Sequence, residues 1–358
     1  MIEATVAVDL REELADTIKT AVGDNRALYI KGGDSKRDIG GRACDCASLD
    51  VSRHRGIVDY QPGELVITAR CGTSISEILT LLQANGQTLS FEPPVLRGNA
   101  TLGGTIACNQ SGPGRPWGGA ARDRVLGVSI ITGDGRVMQF GGRVMKNVAG
   151  YDVSRLQAGA FGTLGVLSEV SVKVVPGAEK TLTLAFDMNA QQAVQEMNRR
   201  GTEPKPLSAA AWWGGRLYLR LSGARRAVDH TARLWGGEAL AEAATPWQDL
   251  REMTLPFFDG ENPLWRYSVS PTLPATHCED MLIDWGGALR WSRGEQPQQT
   301  LQAQAVQQGG HVSLHRGGDR HGEVKPALSD AERRLHLRLK QVFDPEGTLN
   351  PGRLYSWM

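Results

Sequence analysis

Three glycine-rich turns are the places where this chain could do chemistry. The first, Lys31-Gly32-Gly33-Asp34-Ser35, ends a short apolar run. The second, Thr101-Leu102-Gly103-Gly104-Thr105-Ile106-Ala107-Cys108-Asn109, mixes small with apolar residues. The third, Gly159-Ala160-Phe161-Gly162-Thr163-Leu164-Gly165-Val166, leads into another apolar run. Glycine has no Cβ, so successive backbone N–H groups can converge and meet the two negative charges of a pyrophosphate. Small residues beside apolar ones let a flat ring system lie against backbone. One Gly-Gly turn after a strand is more often an ordinary loop; three such turns close together are hard to explain as coincidence.

Two common nucleotide sites are excluded. A Rossmann turn needs G-x-G-x-x-G opening a helix after the first strand, and a P-loop needs G-x-x-x-x-G-K-[ST]; neither occurs. Gly159, Gly162 and Gly165 are spaced by three but precede a strand, so no helix dipole is available. Five cysteines, Cys44, Cys46, Cys71, Cys108 and Cys278, offer no four-thiolate spacing for an iron–sulfur cluster. They are expected to be reduced and mostly buried thiols.

Positioning those turns requires two domains, since 358 residues exceed what one core usually serves. A helix over 9–22 precedes the strand 27–30 that runs into the first turn. Strands follow at 57–60 and 65–70, then a helix capped by Thr73-Ser74 with Ile75, Ile78, Leu79 and Leu82 on one face. Strands at 125–132 and 137–140 flank Gly133-Asp134-Gly135, a hairpin signal. The segment 146–174 gives a short helix, a Gly-spaced turn over 159–165 and a strand over 166–174, and Pro176-Gly177 marks the boundary. Beyond it, strand 181–186, helix 190–200, strands 208–213 and 216–221 and helix 224–234 form a βαββα run, near a ferredoxin-like sandwich. A weaker echo follows at 265–270, 281–291, 297–308 and 311–315. The expected class is α+β: a first domain over 1–176, an α+β cap over 177–328, and a C-terminal helix and tail over 329–358 returning to the first. Eight of nine tryptophans lie beyond residue 200 and should mostly fill core.

The charge of +1 provides no field for nucleic acid, and no stretch is apolar enough to span a bilayer. The opening segment MIEATVAVDL carries acidic residues where a secretory leader needs basic and then apolar ones. A cytoplasmic location is expected.

In order along the chain, K-G-G-D-S, E-P-P with T-L-G-G-T-I-A-C-N, R-D-R-V-L-G, K-N-V-A-G-Y-D-V-S-R-L, F-G-T-L-G-V-L-S-E and the terminal D-P-E-G-T-L-N-P-G-R resemble the FAD domain of the vanillyl-alcohol-oxidase and D-lactate-dehydrogenase family. Within it, W-G-G-A-L-R-W (285–291) and R-P-W-G-G-A-A-R-D (115–123) resemble the FAD-binding subunits of glycolate oxidases. The resemblance implies a PCMH-type two-subdomain FAD-binding fold with a ferredoxin-like cap. It implies that Lys31, Gly32, Gly33, Asp34 and Ser35 hold the pyrophosphate, and that Thr101, Gly103, Gly104, Ala107 and Asn109 lie along the ribityl chain and ring. Gly162, Gly165 and Val166 fall near the adenine side, Asn350 and Arg353 close the ring edge, and Arg122 and Asp123 are further contacts. The FAD is expected to be non-covalent, because no His occurs in the first turn.

The implied activity is oxidation of a small 2-hydroxy acid, glycolate to glyoxylate, by a complex with a second FAD-linked catalytic subunit and an iron–sulfur subunit, in the cytoplasm or at the inner face of its membrane. A cofactor-bearing scaffold and a self-sufficient 2-hydroxy acid dehydrogenase remain alternatives. Metal-using relatives carry a G-D-G-N-x-H motif; here the run is H-R-G-G-D-R-H, with Arg320 adding positive charge, so His311, His315, Asp319 and His321 read as a polar loop rather than a metal site. No catalytic base or carboxylate-binding cations can be assembled from the sequence alone.

Overall fold

The structure is a computed structural model that describes residues 7–96, 98–142, 151–241, 245–275, 278 and 280–358. Lys146 to Gly150, part of one quoted motif, lie outside the described residues. Tyr151 beside them is exposed.

The first sheet has five antiparallel strands in the order Ile57–Gln61, Val66–Arg70, Val166–Lys173, Val125–Ile131, Val137–Gly141. Its buried face, including Ile67, Ala69, Val128, Val170 and Val172, is covered by the helix Ile75–Ala84. Ser74 caps that helix by accepting from Ser76 N–H, and Ile75, Ile78 and Leu82 recur at helical spacing to form its buried stripe. Leu102 and Ile106, from the second glycine-rich segment, enter the same core. Truncating one such buried Leu or Ile to Ala typically costs about 2–5 kcal/mol. A parallel pair, Leu28–Lys31 with Ala47–Asp50, sits under the helix Arg11–Gly23 and delivers the first turn from its strand end.

The cap is one sheet of eight strands made of two like units. In the first, Lys180–Asp187, Leu207–Trp213, Arg216–Gly223 and Glu238–Leu240 lie in the spatial order fourth, first, third, second. In the second, Leu264–Ser268, Leu282–Asp284, Leu289–Arg293 and His311–Arg316 follow that order in reverse, and the two join by their second strands where Trp212 meets Ile283. The βαββα run therefore gains a closing strand of three residues, and its echo is a second unit. The expected strand over 281–291 is two strands broken at Trp285-Gly286-Gly287, all at positive φ. Helices Ala190–Gly201 and Arg225–Trp235 cover one sheet face, where Leu217, Leu219 and Leu221 alternate with outward residues. Trp212, Trp235, Trp247, Trp265, Trp285 and Trp291 are buried.

The cap meets the first domain through specific polar contacts. Arg220 is paired with Glu92, Trp285 Nε1 donates to the Gly112 carbonyl at 3.0 Å, and Glu252 accepts from Val95 and Leu96 N–H. The last helix, Asp330–Phe343, starts at a Ser329–Glu332 capping box. The tail after it then returns to the first domain, where Leu28 N–H donates to Thr348 O and Asn350 N–H to Leu28 O. One thiol expectation is corrected: Cys44 and Cys46, with Cα atoms 5.3 Å apart and so within bridging reach, form a disulfide. Cys71 is a buried free thiol, and Cys278 is buried with its Sγ accepting from Arg290 Nη1 at 3.8 Å.

Candidate functional site

A single groove gathers thirteen of the seventeen expected site residues: 31–35, Thr101, Gly103, Gly104, Ala107, Gly162, Gly165, Asn350 and Arg353. The first turn leaves its strand at Lys31 and reverses at Asp34, whose φ is 52°. Tyr29 Oη and Arg37 both donate to the Asp34 carboxylate, at 2.6 and 3.2 Å, and hold the turn in that shape. The N–H groups of Gly32, Gly33, Asp34, Ser35 and Lys36 donate to no acceptor among the described residues. Five consecutive amides without such an acceptor, turning at Asp34, are the material of an anion nest.

Glycine is required here by contact. A Cβ on Gly33 would fall inside the Asn99 carbonyl, and one on Gly32 would lie 2.5 Å from Thr101 Oγ1. On Gly103 it would meet Cys71 Cβ at 2.7 Å. Thr101 accepts from Gly104 N–H and so caps the short helix behind the second turn.

The tail shapes this groove from below. Asn350 Nδ2 donates to Phe161 O, its Oδ1 accepts from Ile30 N–H, and Arg353 donates to the carbonyls of Lys36, Arg37, Ile39 and Gly41. Both side chains are thereby committed to backbone, and they brace the first and third turns.

Four expected residues lie elsewhere. Val166 opens a strand, and the alternation sends its side chain into the core with Leu28, Ile131 and Leu349. Asn109 lines the adjoining chamber while its Oδ1 accepts from Arg122 N–H. Arg122 and Asp123 are exposed and line neither space; Asp123 instead accepts from Ala120 N–H as a local cap. The sequence reading missed Tyr29, Lys36, Gln157 and Phe161 in the groove. Lys36 directly follows K-G-G-D-S and was within reach of the same argument. Gln157 Nε2 is buried without a partner, a donor waiting for an acceptor in the groove.

Where the groove ends, a chamber of about 1570 Å³ opens between first domain and cap. Gly33, Asp34, Ser35, Cys108 and Phe161 border both spaces. The chamber exceeds an ordinary small-ligand pocket, enough for a ring system and a small substrate side by side. Its walls carry cations on aromatic faces. Arg266 lies over Trp285 at 4.9 Å and Trp291 at 5.9 Å, Arg115 over Trp285 at 4.5 Å, and Lys325 over Phe161 at 4.8 Å. None of these three side chains has a hydrogen bond or ion pair among the described residues.

Burial governs the protonation of this wall. It pulls Arg266 down to about 10, aided by the like charge of Arg115, and Lys325 down to about 8, aided by Arg266. It holds His315, edge-on to Trp291 at 4.8 Å, well below the usual imidazole range. It pushes Asp284 up to about 8. At neutral pH the chamber therefore presents cations, a neutral imidazole and a neutral carboxyl. Cations and an imidazole that lie far apart in sequence thus line one space. Of the expected polar loop, His321 contacts Arg42 and Arg320 braces the Gly40 and His315 carbonyls.

An anion nest at a strand end, a small-residue floor and a cation-lined chamber under a second α+β domain define a flavin-binding oxidoreductase of the PCMH type. Residues 2–141 match the FAD binding domain family. The chain is 43 % identical over 97 % of its length, and 98 % of the other, to glycolate oxidase subunit GlcE of Escherichia coli (strain K12). It is 28 % identical to glycolate oxidase subunit GlcD of Bacillus subtilis (strain 168) over 55 % of this chain and 42 % of that one. A D-lactate dehydrogenase of Archaeoglobus fulgidus is 33 % identical over 53 % of this chain and 43 % of its own. A solved structure of alkyldihydroxyacetonephosphate synthase superposes with a TM-score of 0.66 at 16 % identity, covering 95 % of this chain and 74 % of that one, which shows a shared fold. The chain belongs to the family of glycolate oxidase subunit GlcE.

Proposed function

We propose that this chain is the FAD-carrying subunit of a glycolate-oxidising complex, and that its own chamber binds the 2-hydroxy acid. The carrying observation is the joining of the five amides of 32–36, which have no acceptor among the described residues, to a chamber whose cations form no ion pair there. The amides and Gln157 would hold the FAD pyrophosphate and a neighbouring polar group, with Thr101, Gly103, Gly104 and Ala107 supplying the close floor. When bound, the flavin supplies the two-electron acceptor.

The chain's own residues do the rest. Arg266 and Lys325 face the substrate carboxylate, and their fixed positions orient the carbinol carbon. His315, kept neutral by burial, accepts the hydroxyl proton. Trp285, Trp291 and Phe161 exclude water and strengthen the charge contacts. Oxidation to the 2-oxo acid breaks the O–H bond, whose proton goes to His315, and the carbinol C–H bond, whose hydrogen would leave with the electron pair to the flavin when it is bound. The non-covalent attachment of FAD, a second FAD-linked subunit, an iron–sulfur subunit that takes the electrons onward, and a cytoplasmic or inner-face location belong to the same reading. No described helix is long and apolar enough to cross a membrane.

The test is the absorbance of the purified chain between about 350 and 500 nm, before and after anaerobic glycolate, alone and with its partner subunits. A flavin spectrum that bleaches supports the reading. A chain that takes up no flavin, or partner subunits that oxidise glycolate at full rate without it, would overturn it.

A further inference from the structure

The two segments that carry the narrower resemblance, 115–123 and 285–291, meet in space, and neither is used by the cradle. Trp285 begins the break between two cap strands, at φ 53°. Its indole N–H donates to Gly112 O in the first domain, which fixes the ring across the domain boundary. Gly286, at φ 66°, faces Trp117: a Cβ there would lie in ordinary contact with that ring, at 3.6 Å. The same Trp285 ring carries two guanidinium groups, Arg115 from the first domain at 4.5 Å and Arg266 from the cap at 4.9 Å.

Two like charges on one indole repel each other. Asp123 favours the charge of Arg115 and Asp284 that of Arg266, but neither forms an ion pair with them among the described residues: Asp123 is used as a local cap, and Asp284 accepts from Trp285 N–H. Each arginine also loses proton affinity to burial, Arg266 further to Arg115. An arrangement that costs free energy when empty of anion gains when one arrives, and the planar guanidinium fork suits a carboxylate.

Resting on the reading above, we propose that the carboxylate of the 2-hydroxy acid is held jointly by Arg115 and Arg266 on Trp285. Arg115 is then a specificity-determining residue contributed by the FAD-binding half. Neither domain alone contains the acid site, and the bound acid draws the two together by cancelling their mutual repulsion.

The probe is oxalate, a carboxylate that resembles the substrate but has no carbinol hydrogen to lose. It is titrated into the flavin-bearing chain while tryptophan fluorescence and the flavin spectrum are followed. Saturable binding is expected, weakened at least tenfold by Arg115→Met and by Arg266→Met, and by less than the product of the two in the double variant, because the charges share one ligand. Arg115→Lys keeps the charge and loses the fork; it guards against a misfolded Met variant and should retain intermediate affinity. Wild-type oxalate affinity in folded Arg115→Met, or in Arg115→Met with normal glycolate turnover in the assembled complex, overturns the proposal while leaving the assigned function intact. Oxalate binding that needs both arginines, in a complex that never oxidises glycolate, supports the proposal and removes the functional reading instead.

Discussion

Asn350 and Phe161 are 189 positions apart and share a hydrogen bond of 2.7 Å, Asn350 Nδ2 to the Phe161 carbonyl. Because Asn350 Oδ1 also accepts from Ile30 N–H at 2.7 Å, one amide ties the strand that launches the anion nest to the third glycine-rich turn. Asn350 stands at φ 46° and Phe161 at φ 54°, conformations unusual for non-glycine residues. The cradle therefore takes its shape from a tail that lies far from it in sequence.

Replacing Asn350 with Ala should leave the buried Phe161 carbonyl unmatched, at about 1–3 kcal/mol, and the part-buried Ile30 N–H as well, at less. The expected outcome is a lower Tm together with easier loss of flavin on gel filtration. A variant that keeps both wild-type Tm and flavin content would show that the tail is not the brace.

Gly33→Ala should be far worse than its chemistry suggests, since the added methyl would occupy the Asn99 carbonyl. Either the turn moves and the five amides no longer converge, or the chain unfolds. Gly63→Ala, where the site is open, is the matched control. Equal flavin content in the two variants, measured by absorbance per mole of protein, would contradict the close-approach argument.

Lys340 and Asp344 form a buried pair at 2.6 Å, and Lys340 also donates to the Thr163 and Leu349 carbonyls while Asp344 accepts from Thr348 and Leu349 N–H. Lys340→Met leaves a buried carboxylate without its cation and should destabilise the fold by about 3–5 kcal/mol. Urea denaturation measures it. A loss below about 1 kcal/mol would place this pair among the exposed bridges of little consequence.

What could be read from the sequence was local. The nest is a run of neighbours, 31–35, and the glycine at each turn announces a backbone conformation. The helix stripe Ile75, Ile78, Leu82 and the βαββα order of the cap are also local patterns. The chamber was hidden because its parts are not neighbours. Arg266 sits mid-strand, Lys325 follows a polar loop, and the latter's aromatic partner Phe161 lies in the other domain. Trp285-Gly286-Gly287 did carry a legible turn signal inside the strand expected over 281–291. Val166 shows the opposite failure, for it neighbours a true groove residue but points to the core by alternation. Arg122 and Asp123 lie in a matching motif and yet face solvent.

The pH dependence of anion binding gives the last test. Lys325, lowered to about 8, is charged below that pH and neutral above it; Asp284, raised to about 8, is neutral below and charged above. Both changes remove positive charge from the chamber wall as pH rises through 8, so oxalate affinity should be full below about 7 and fall above 8, with up to two protons coupled. His315, held well below its usual range, should add no step on the acid side until the solution is distinctly acidic. For the ligand-free chain the Lys325 contribution to stability runs the other way. Its folded value lies below the ordinary 10.5, the unfolded state binds more protons between the two, and stability rises with pH from about 8 to 10.5. Lys325→Met and Asp284→Asn should each reduce the coupling from about two protons to about one. Lys325→Arg should keep the affinity and lose the lysine step. A binding profile unchanged in both single variants would remove these two groups from the site.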